Sequence, residues 1–144
     1  ENSKLDLAAF NKATTLTFLR ELKHTQSLKG IPWSFIEDVG YLYDSAGENL
    51  AVNFETEAEI VSDWMRSTSH RANILRPDFR EIGISIVDGS YQGGDASYVV
   101  TYFAKPETDI VLPSNTSREA QIKILTELIN YLLNLLRTLQ AEQL

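Results

Sequence analysis

Cysteine is absent from this chain of 144 residues, and methionine occurs only once. Without a thiol the protein has no disulfide framework, no zinc ribbon and no cysteine nucleophile. A chain of this length can still bury a sizeable hydrophobic core without covalent cross-links. Because many bacterial exported domains also lack cysteine, its absence does not exclude secretion.

Positive charge is scarce as well, since 13 Lys and Arg residues are outnumbered by 20 Asp and Glu residues, for a net charge of −7. Nucleic-acid binding needs a basic stripe, and the longest one here is Lys23 with Lys29 nearby. An acidic chain is a poor match for an anionic membrane surface. No uninterrupted apolar run reaches the about 18 residues of a membrane span. We therefore expect neither a nucleic-acid partner nor a transmembrane span.

The first part of the chain is predicted to be helical. Apolar residues recur at helical spacing over residues 5–23, a stretch without glycine or proline, and predict a long helix that ends next to His24. Pro32 suits the first position of a second, short helix, and Gly40 suits its C-terminal cap.

The middle of the chain combines a carboxylate-bearing motif with a further helix. Gly47-Glu48-Asn49 is predicted as a turn, followed by a short strand over residues 50–54. Thr56-Glu57-Ala58-Glu59 has the pattern of a capping box, and the helix that it starts is predicted to run to about Ser69. A proline soon afterwards limits residues 72–76 to a short turn at most.

The following segment has the pattern of a β-hairpin. Residues 81–87 alternate, and Ile82, Ile84 and Ile86 are predicted to form the core face of a strand. Residues 98–104 are β-branched and aromatic, and should pair antiparallel with that strand. Helices followed by a hairpin favour an α+β fold, in which helices pack on an antiparallel sheet.

The C-terminal part is predicted to be separate from the domain of residues 1–104. Residues 105–116 are polar, contain two prolines and are predicted to be a linker. Residues 117–144 carry a heptad of apolar residues and are predicted to form an amphipathic, coiled-coil-like helix. A stripe this apolar needs a partner, so we expect a homo-oligomer or a partner helix, with packing on its own domain as the alternative.

The two histidines of the chain, His24 and His70, are the strongest candidates for chemistry. Together with Glu48 they would form a site of one acid between two imidazoles. Such a set can hold zinc with a fourth position left for water, or it can move protons. The simpler interpretation is that each histidine only makes hydrogen bonds, and spacing alone does not join residues so far apart in the sequence.

Five short motifs follow one another in order: Gly47-Glu48-Asn49-Leu50-Ala51, Trp64-Met65-Arg66-Ser67, His70-Arg71-Ala72-Asn73-Ile74-Leu75, Glu81-Ile82-Gly83-Ile84 and Tyr98-Val99-Val100-Thr101-Tyr102-Phe103-Ala104. In order and spacing they resemble the bacterial branch of the CAP superfamily. This is the family of cysteine-rich secretory proteins, antigen 5 and pathogenesis-related proteins, also called SCP-like. The resemblance covers roughly residues 5–104.

The resemblance implies an α-β-α sandwich, in which helices flank a small antiparallel sheet and a shallow cleft lies on one side. It also implies a location outside the cell or in the cell envelope. The sequence begins at Glu1 without a methionine. We interpret it as a processed fragment from which any signal peptide has been lost, so the sequence itself gives no information on export.

In this family the cleft is lined by two histidines and two acidic residues. Carried over one at a time, these positions correspond to His24, Glu48 and His70, and some family members bind a divalent metal through the two histidines. Zinc or another divalent metal on His24 and His70 is therefore an expectation. Ser67 stands where animal members have the second acid, so we expect a triad. The residues predicted to support the cleft are Asn49, Ser67, Arg71 and Asn73.

Three functions stay open. Our preferred interpretation is a binding module for a divalent metal and a small or extended ligand, because the acid pair is incomplete and no nucleophile has a base beside it. The alternative is a metal-dependent hydrolase of peptide or cell-wall substrates, with Glu48 as general base. Lipid or sterol binding is suggested by eukaryotic family members.

Trp33, Tyr41 and Tyr43 are expected to pack in the interior of the domain. Contact of these aromatic side chains with an apolar or sugar ligand is the alternative.

Overall fold

The structure, a computed structural model, describes residues 1–24 and 33–107, together with Ser117, Ile122, Lys123 and Thr126. It contains the helices α1 (Ser3–Leu19), α2 (Ser34–Asp38), α3 (Glu57–Arg66) and α4 (Thr68–Ile74), and the strands β1 (Tyr43–Val52), β2 (Glu81–Tyr91) and β3 (Gly94–Pro106). These helices and the antiparallel sheet confirm the predicted α+β fold.

The chain divides into two compact units, Glu1–Thr108 and Asp109–Leu144. The first unit contains all of the helices and strands given above. The predicted linker and the predicted C-terminal helix lie almost wholly outside the described residues, so that division into domains stays a prediction. Within the described residues, no helix has the length and apolar character needed to cross a membrane.

Helix α1 begins and ends through local hydrogen bonds. The side-chain oxygen of Asn2 accepts from the backbone N–H groups of Lys4 and Leu5 and so caps the first turn. Arg20 adopts a left-handed conformation, with φ 55°, which ends the helix. The end comes four residues before the predicted one, and the chain that follows brings His24 back towards the sheet.

Strand β3 is the centre of a three-stranded antiparallel sheet with the order β1-β3-β2. Successive side chains of β3 point to opposite faces. Tyr98, Val100 and Tyr102 join a core with α1 and α2, and Val99 joins a second core with Ile60 and Trp64 of α3. Helices therefore pack on both faces of the sheet, as the α-β-α arrangement requires.

The prediction that the isoleucines of β2 form its core face is wrong. Ile82, Ile84 and Ile86 are 37%, 45% and 54% exposed, whereas Gly83 is buried on the opposite face. A Cβ atom at Gly83 would overlap the backbone of Leu5 and Asp6 in α1. The helix backbone thus comes too close to the sheet for a side chain at Gly83, so this position of β2 requires small size rather than hydrophobicity.

Two further predictions around the candidate site are also wrong. Gly47-Glu48-Asn49 lies in the middle of β1 and pairs with Phe103, Tyr102 and Thr101, so it is a strand and not a turn. Helix α3 ends at Arg66 rather than near Ser69, because Ser67 is extended, with φ −83° and ψ 127°. The new helix α4 then carries His70 and continues through the segment that was predicted to be a turn.

Candidate functional site

Glu48 is presented from the middle of β1 and is only 6% exposed. The register of the sheet places it opposite Tyr102 of β3. Its carboxylate lies on the face of the sheet that α1 covers, and Lys12 of α1 forms an ion pair with it. A buried carboxylate needs such partners, because removing a charge from water without compensation is costly.

His24 is bound directly to this carboxylate. Its Nδ1 lies 2.8 Å from Oε1 of Glu48, while the His24 side chain is 57% exposed. An ionised carboxylate only accepts hydrogen bonds, so the Nδ1–H group donates and the ring keeps Nε2 for another contact. The pair therefore joins a buried acid to a solvent-accessible imidazole.

His70 lies beside this pair on α4. Its ring centroid is 6.2 Å from that of His24 and 6.3 Å from that of Trp64. Burial, and then the positive charge of a protonated His24, lower the pKa of His70, and Asp63 opposes the shift. Neutral imidazole is thus the favoured form of His70. The structure places His24, Glu48 and His70 next to one another, and their role as a functional site stays a prediction.

Two asparagines tie α4 to β1. The Nδ2 group of Asn73 donates to the backbone carbonyl of Glu48 at 3.1 Å and to Oδ1 of Asn49 at 2.9 Å. Asn49 is fully buried, and its own Nδ2 group donates to the backbone carbonyl of His70 at 3.1 Å. A Cβ atom at Gly47 would lie 2.7 Å from Oδ1 of Asn73, so this glycine makes room for the network. The network fixes the helix that carries His70 against the strand that carries Glu48.

Ser67 and Arg71, the other two residues predicted to support the cleft, lie at the junction of α3 and α4. The backbone carbonyl of Ser67 accepts from the N–H group of Arg71 at 2.9 Å, in the first turn of α4. The Arg71 side chain is exposed and lines a separate surface hollow with Met65 and Leu75. These contacts lie at the helix junction, and a supporting role of the two residues for the cleft stays a prediction.

Sequence reasoning missed Lys12 and Tyr102, the two buried neighbours of Glu48. Both are 0% exposed. Lys12 interrupts the apolar row of α1 that contains Leu5 and Leu16, so the signal was a charge at a core position of the helix. Burial, and then the charge of Glu48, raise the pKa of Tyr102, which keeps its hydroxyl protonated.

The His24–Glu48 pair forms part of a cleft of about 280 Å³, also lined by Trp33, Ala46, Gly47 and Asn73. Trp33 is half-buried and packs against Tyr102, with ring centroids 6.5 Å apart. The other two aromatic candidates, Tyr41 and Tyr43, stack on each other and line a different hollow. Of the three, Trp33 alone is among the described residues that line this cleft.

The described residues of the cleft do not fit a metal centre with three protein ligands. Across residues 1–24 and 33–107, no group of three or more His, Cys, Asp or Glu side chains is arranged to hold a metal ion. One oxygen of Glu48 accepts from His24, and the other lies 3.7 Å from the Lys12 ammonium. Catalytic zinc sites in proteins usually have three protein ligands and an open position. The metal pair His24 and His70 stays a prediction.

The sequence matches the family model described as the Cysteine-rich secretory protein family, CAP, over residues 1–103. It is also 40% identical over 65 residues to the uncharacterized protein YkwD of Bacillus subtilis (strain 168). That match takes in 45% of this chain and 25% of YkwD, so the chain spans about a quarter of that relative's length.

Two solved structures share the fold. An outer surface protein of Borrelia burgdorferi matches with a TM-score of 0.64 and 24% identity, over 74% of this chain and 76% of that chain. An extracellular protein with an SCP domain from Bacillus anthracis str. Ames matches with a TM-score of 0.58 and 19% identity, over 73% of this chain and 32% of that chain.

Proposed function

This chain belongs to the CAP family of cysteine-rich secretory proteins, and we propose that it is an exported binding module whose cleft takes a small or extended ligand at the cell envelope. The location is supported by the names of two proteins with this fold, one an outer surface protein and the other extracellular. The binding role is argued from the cleft itself.

The observation that carries the proposal is the exposed imidazole of His24, held by the buried carboxylate of Glu48 at 2.8 Å. Because Glu48 fixes Nδ1, the Nε2 edge is oriented before a ligand arrives, and an oriented group loses little entropy on binding. The half-buried indole of Trp33 supplies an apolar surface in the same cleft. Together they suit a ligand that has both a hydrogen-bonding group and an apolar or sugar face.

Binding without turnover is favoured by the composition of the cleft. The described residues that line it include no serine, threonine or cysteine, so none of them is a hydroxyl or thiol nucleophile. Another route to hydrolysis is a metal-bound water. That route needs a metal centre, and the described residues offer no three-ligand group for one.

A divalent metal on His24 and His70 is the second candidate, with Glu48 as general base for hydrolysis of peptide or cell-wall substrates. Its support is the 6.2 Å separation of the two rings, together with Nδ1 of His70, a buried nitrogen without a hydrogen-bond partner in the described part of the chain. Lipid or sterol binding has less support, because a cleft of about 280 Å³ is just below the range of about 300–1,000 Å³ that is usual for ligand pockets.

Calorimetric titration with soluble muropeptides, as defined cell-wall fragments, tests the binding role. We expect saturable binding that weakens at least about tenfold in His24→Ala, equivalent to about 1.4 kcal/mol. Lys23→Ala is the matched control, because this neighbouring residue is exposed and pairs with Glu21 at the surface. It should bind like the wild type.

Two outcomes would argue against the proposal. Equal affinity of the His24→Ala variant and the wild type would place the ligand elsewhere. Cleaved muropeptide, detected by mass spectrometry and dependent on His70, would favour the hydrolase. A parallel titration with a sterol distinguishes the third candidate.

A further inference from the structure

A lysine is buried on the sheet-facing side of α1. Lys12 is 0% exposed and shares that side of the helix with Ala8, Ala9 and Leu16. An ammonium group loses its hydration when it is buried, so a lysine in this position needs polar partners that compensate for the loss.

Partners of Lys12 come from three segments around the cleft. Its Nζ donates to the backbone carbonyl of His24 at 2.8 Å and lies 3.7 Å from Oε2 of Glu48. It also lies 5.4 Å from the ring centroid of Phe35 in α2, within the range of a cation–π contact. One side chain thus links the turn that carries His24, the strand that carries Glu48, and α2.

The carboxylate of Glu48 lies between two nitrogen groups. Oε1 accepts from Nδ1 of His24 at 2.8 Å, and Oε2 lies near the Lys12 ammonium at ion-pair distance. Burial lowers the pKa of Lys12, and the charge of Glu48 opposes that shift. The two buried charges therefore depend on each other.

We propose that Lys12 is the resident cation of this cleft, and that it occupies the electrostatic role a divalent metal would have. Its ammonium balances the charge of Glu48 and orients both this carboxylate and the His24 turn. A divalent ion between His24 and His70 would add two positive charges near a buried ammonium. Glu48 is the carboxylate that contacts both His24 and Lys12, and Asp63 acts on His70 only through its charge. The inference goes beyond the proposed binding function and does not depend on which ligand binds.

The test is zinc affinity, measured by calorimetry on the full chain with Zn²⁺ as the only titrant. Lys12→Gln removes the charge but keeps an N–H donor for the His24 carbonyl. We expect weak binding in the wild type and at least about tenfold tighter binding in Lys12→Gln. Lys12→Arg keeps the charge and should bind as weakly as the wild type. If Lys12 had only a structural role, Lys12→Gln would bind zinc more weakly than the wild type, because a disturbed site binds less well.

Adding His70→Ala to Lys12→Gln should abolish the gain in affinity, which locates the metal in the cleft. Equal or weaker binding by folded Lys12→Gln would overturn the proposal. Circular dichroism shows whether each variant is folded. Should the neutral variant not fold, the wild type decides: weak binding supports the proposal, and a Kd below about 1 µM that is lost in His70→Ala contradicts it. The muropeptide titration is separate, so a failure of the binding function is distinguishable from a failure of this inference.

Discussion

Gly83→Ala should destabilise the domain strongly for so small a change. A Cβ atom at this position would overlap the backbone of Leu5 and Asp6. Helix backbone cannot move away by a rotamer change, as the end of a flexible side chain can. Overpacking a core typically costs about 1–3 kcal/mol. Replacing glycine in a strand returns about 0.5–1 kcal/mol of conformational entropy. Because the overlap is with backbone, we take the upper end of the overpacking cost, and we expect a net loss of about 2 kcal/mol.

Urea unfolding followed by tryptophan fluorescence measures this effect. Both tryptophans, Trp33 and Trp64, lie in the unit Glu1–Thr108, so the signal reports on that unit. With a slope of about 1–3 kcal/mol per molar urea, the loss corresponds to a midpoint lower by about 1 M. Gly94→Ala is the matched control, because a Cβ atom there meets nothing within 4 Å. Its midpoint should stay within experimental error or rise slightly.

A substitution of Ile84, on the opposite face of β2, gives the complementary measurement. Ile84 is 45% exposed, so Ile84→Ala should cost about 1 kcal/mol or less, whereas a buried isoleucine costs about 2–5 kcal/mol. A small effect of Gly83→Ala together with a large effect of Ile84→Ala would refute the reasoning. That result would mean that α1 packs on the isoleucine face, as the hydrophobic pattern alone suggests.

Three further predictions concern the candidate site. Asn73→Ala removes the hydrogen bonds to Glu48 and Asn49 and leaves a buried amide without its partner, so urea unfolding should show a loss of about 2–3 kcal/mol; a loss below about 0.5 kcal/mol would contradict the network. Glu48→Gln leaves the buried Lys12 ammonium without its counter-charge and should cost about 3–5 kcal/mol at pH 7, and an unchanged midpoint would show that the pair is not buried. Because burial lowers the pKa of His70 below its ordinary 6.5, the unfolded chain binds more protons, so stability should fall as pH falls below about 6.5. His70→Gln should flatten that dependence between pH 7.5 and 5, and an identical slope in the variant would assign it to other groups.

Features set by neighbouring residues could be predicted from the sequence. The capping box is an example, since the Thr56 side chain accepts from the Glu59 N–H group and the Glu59 carboxylate accepts from the Thr56 N–H group. The interior of α1 is another, because its apolar spacing is local. The left-handed Arg20 that ends this helix has no such signal, since glycine or asparagine is the usual residue there.

Features set by distant partners were predicted poorly. Gly47 and Asn49 are common turn residues, yet pairing with β3 holds them in a strand. The proximity of His24 and Glu48 could be inferred only from resemblance to a family, because 24 residues separate them. Lys12 stands at a core position of its helix and could have been singled out, but its partners become evident only once α1 is placed against the sheet.

In the proposed function, His24, Glu48 and Trp33 together form the ligand cleft. The chain has only two histidines and two tryptophans, so NMR of labelled imidazole and indole groups gives four ring probes. On titration with soluble muropeptides, we expect saturable shifts at His24 and Trp33, with smaller ones at His70 and the buried Trp64. Binding that leaves His24 and Trp33 unmoved would contradict the proposed function.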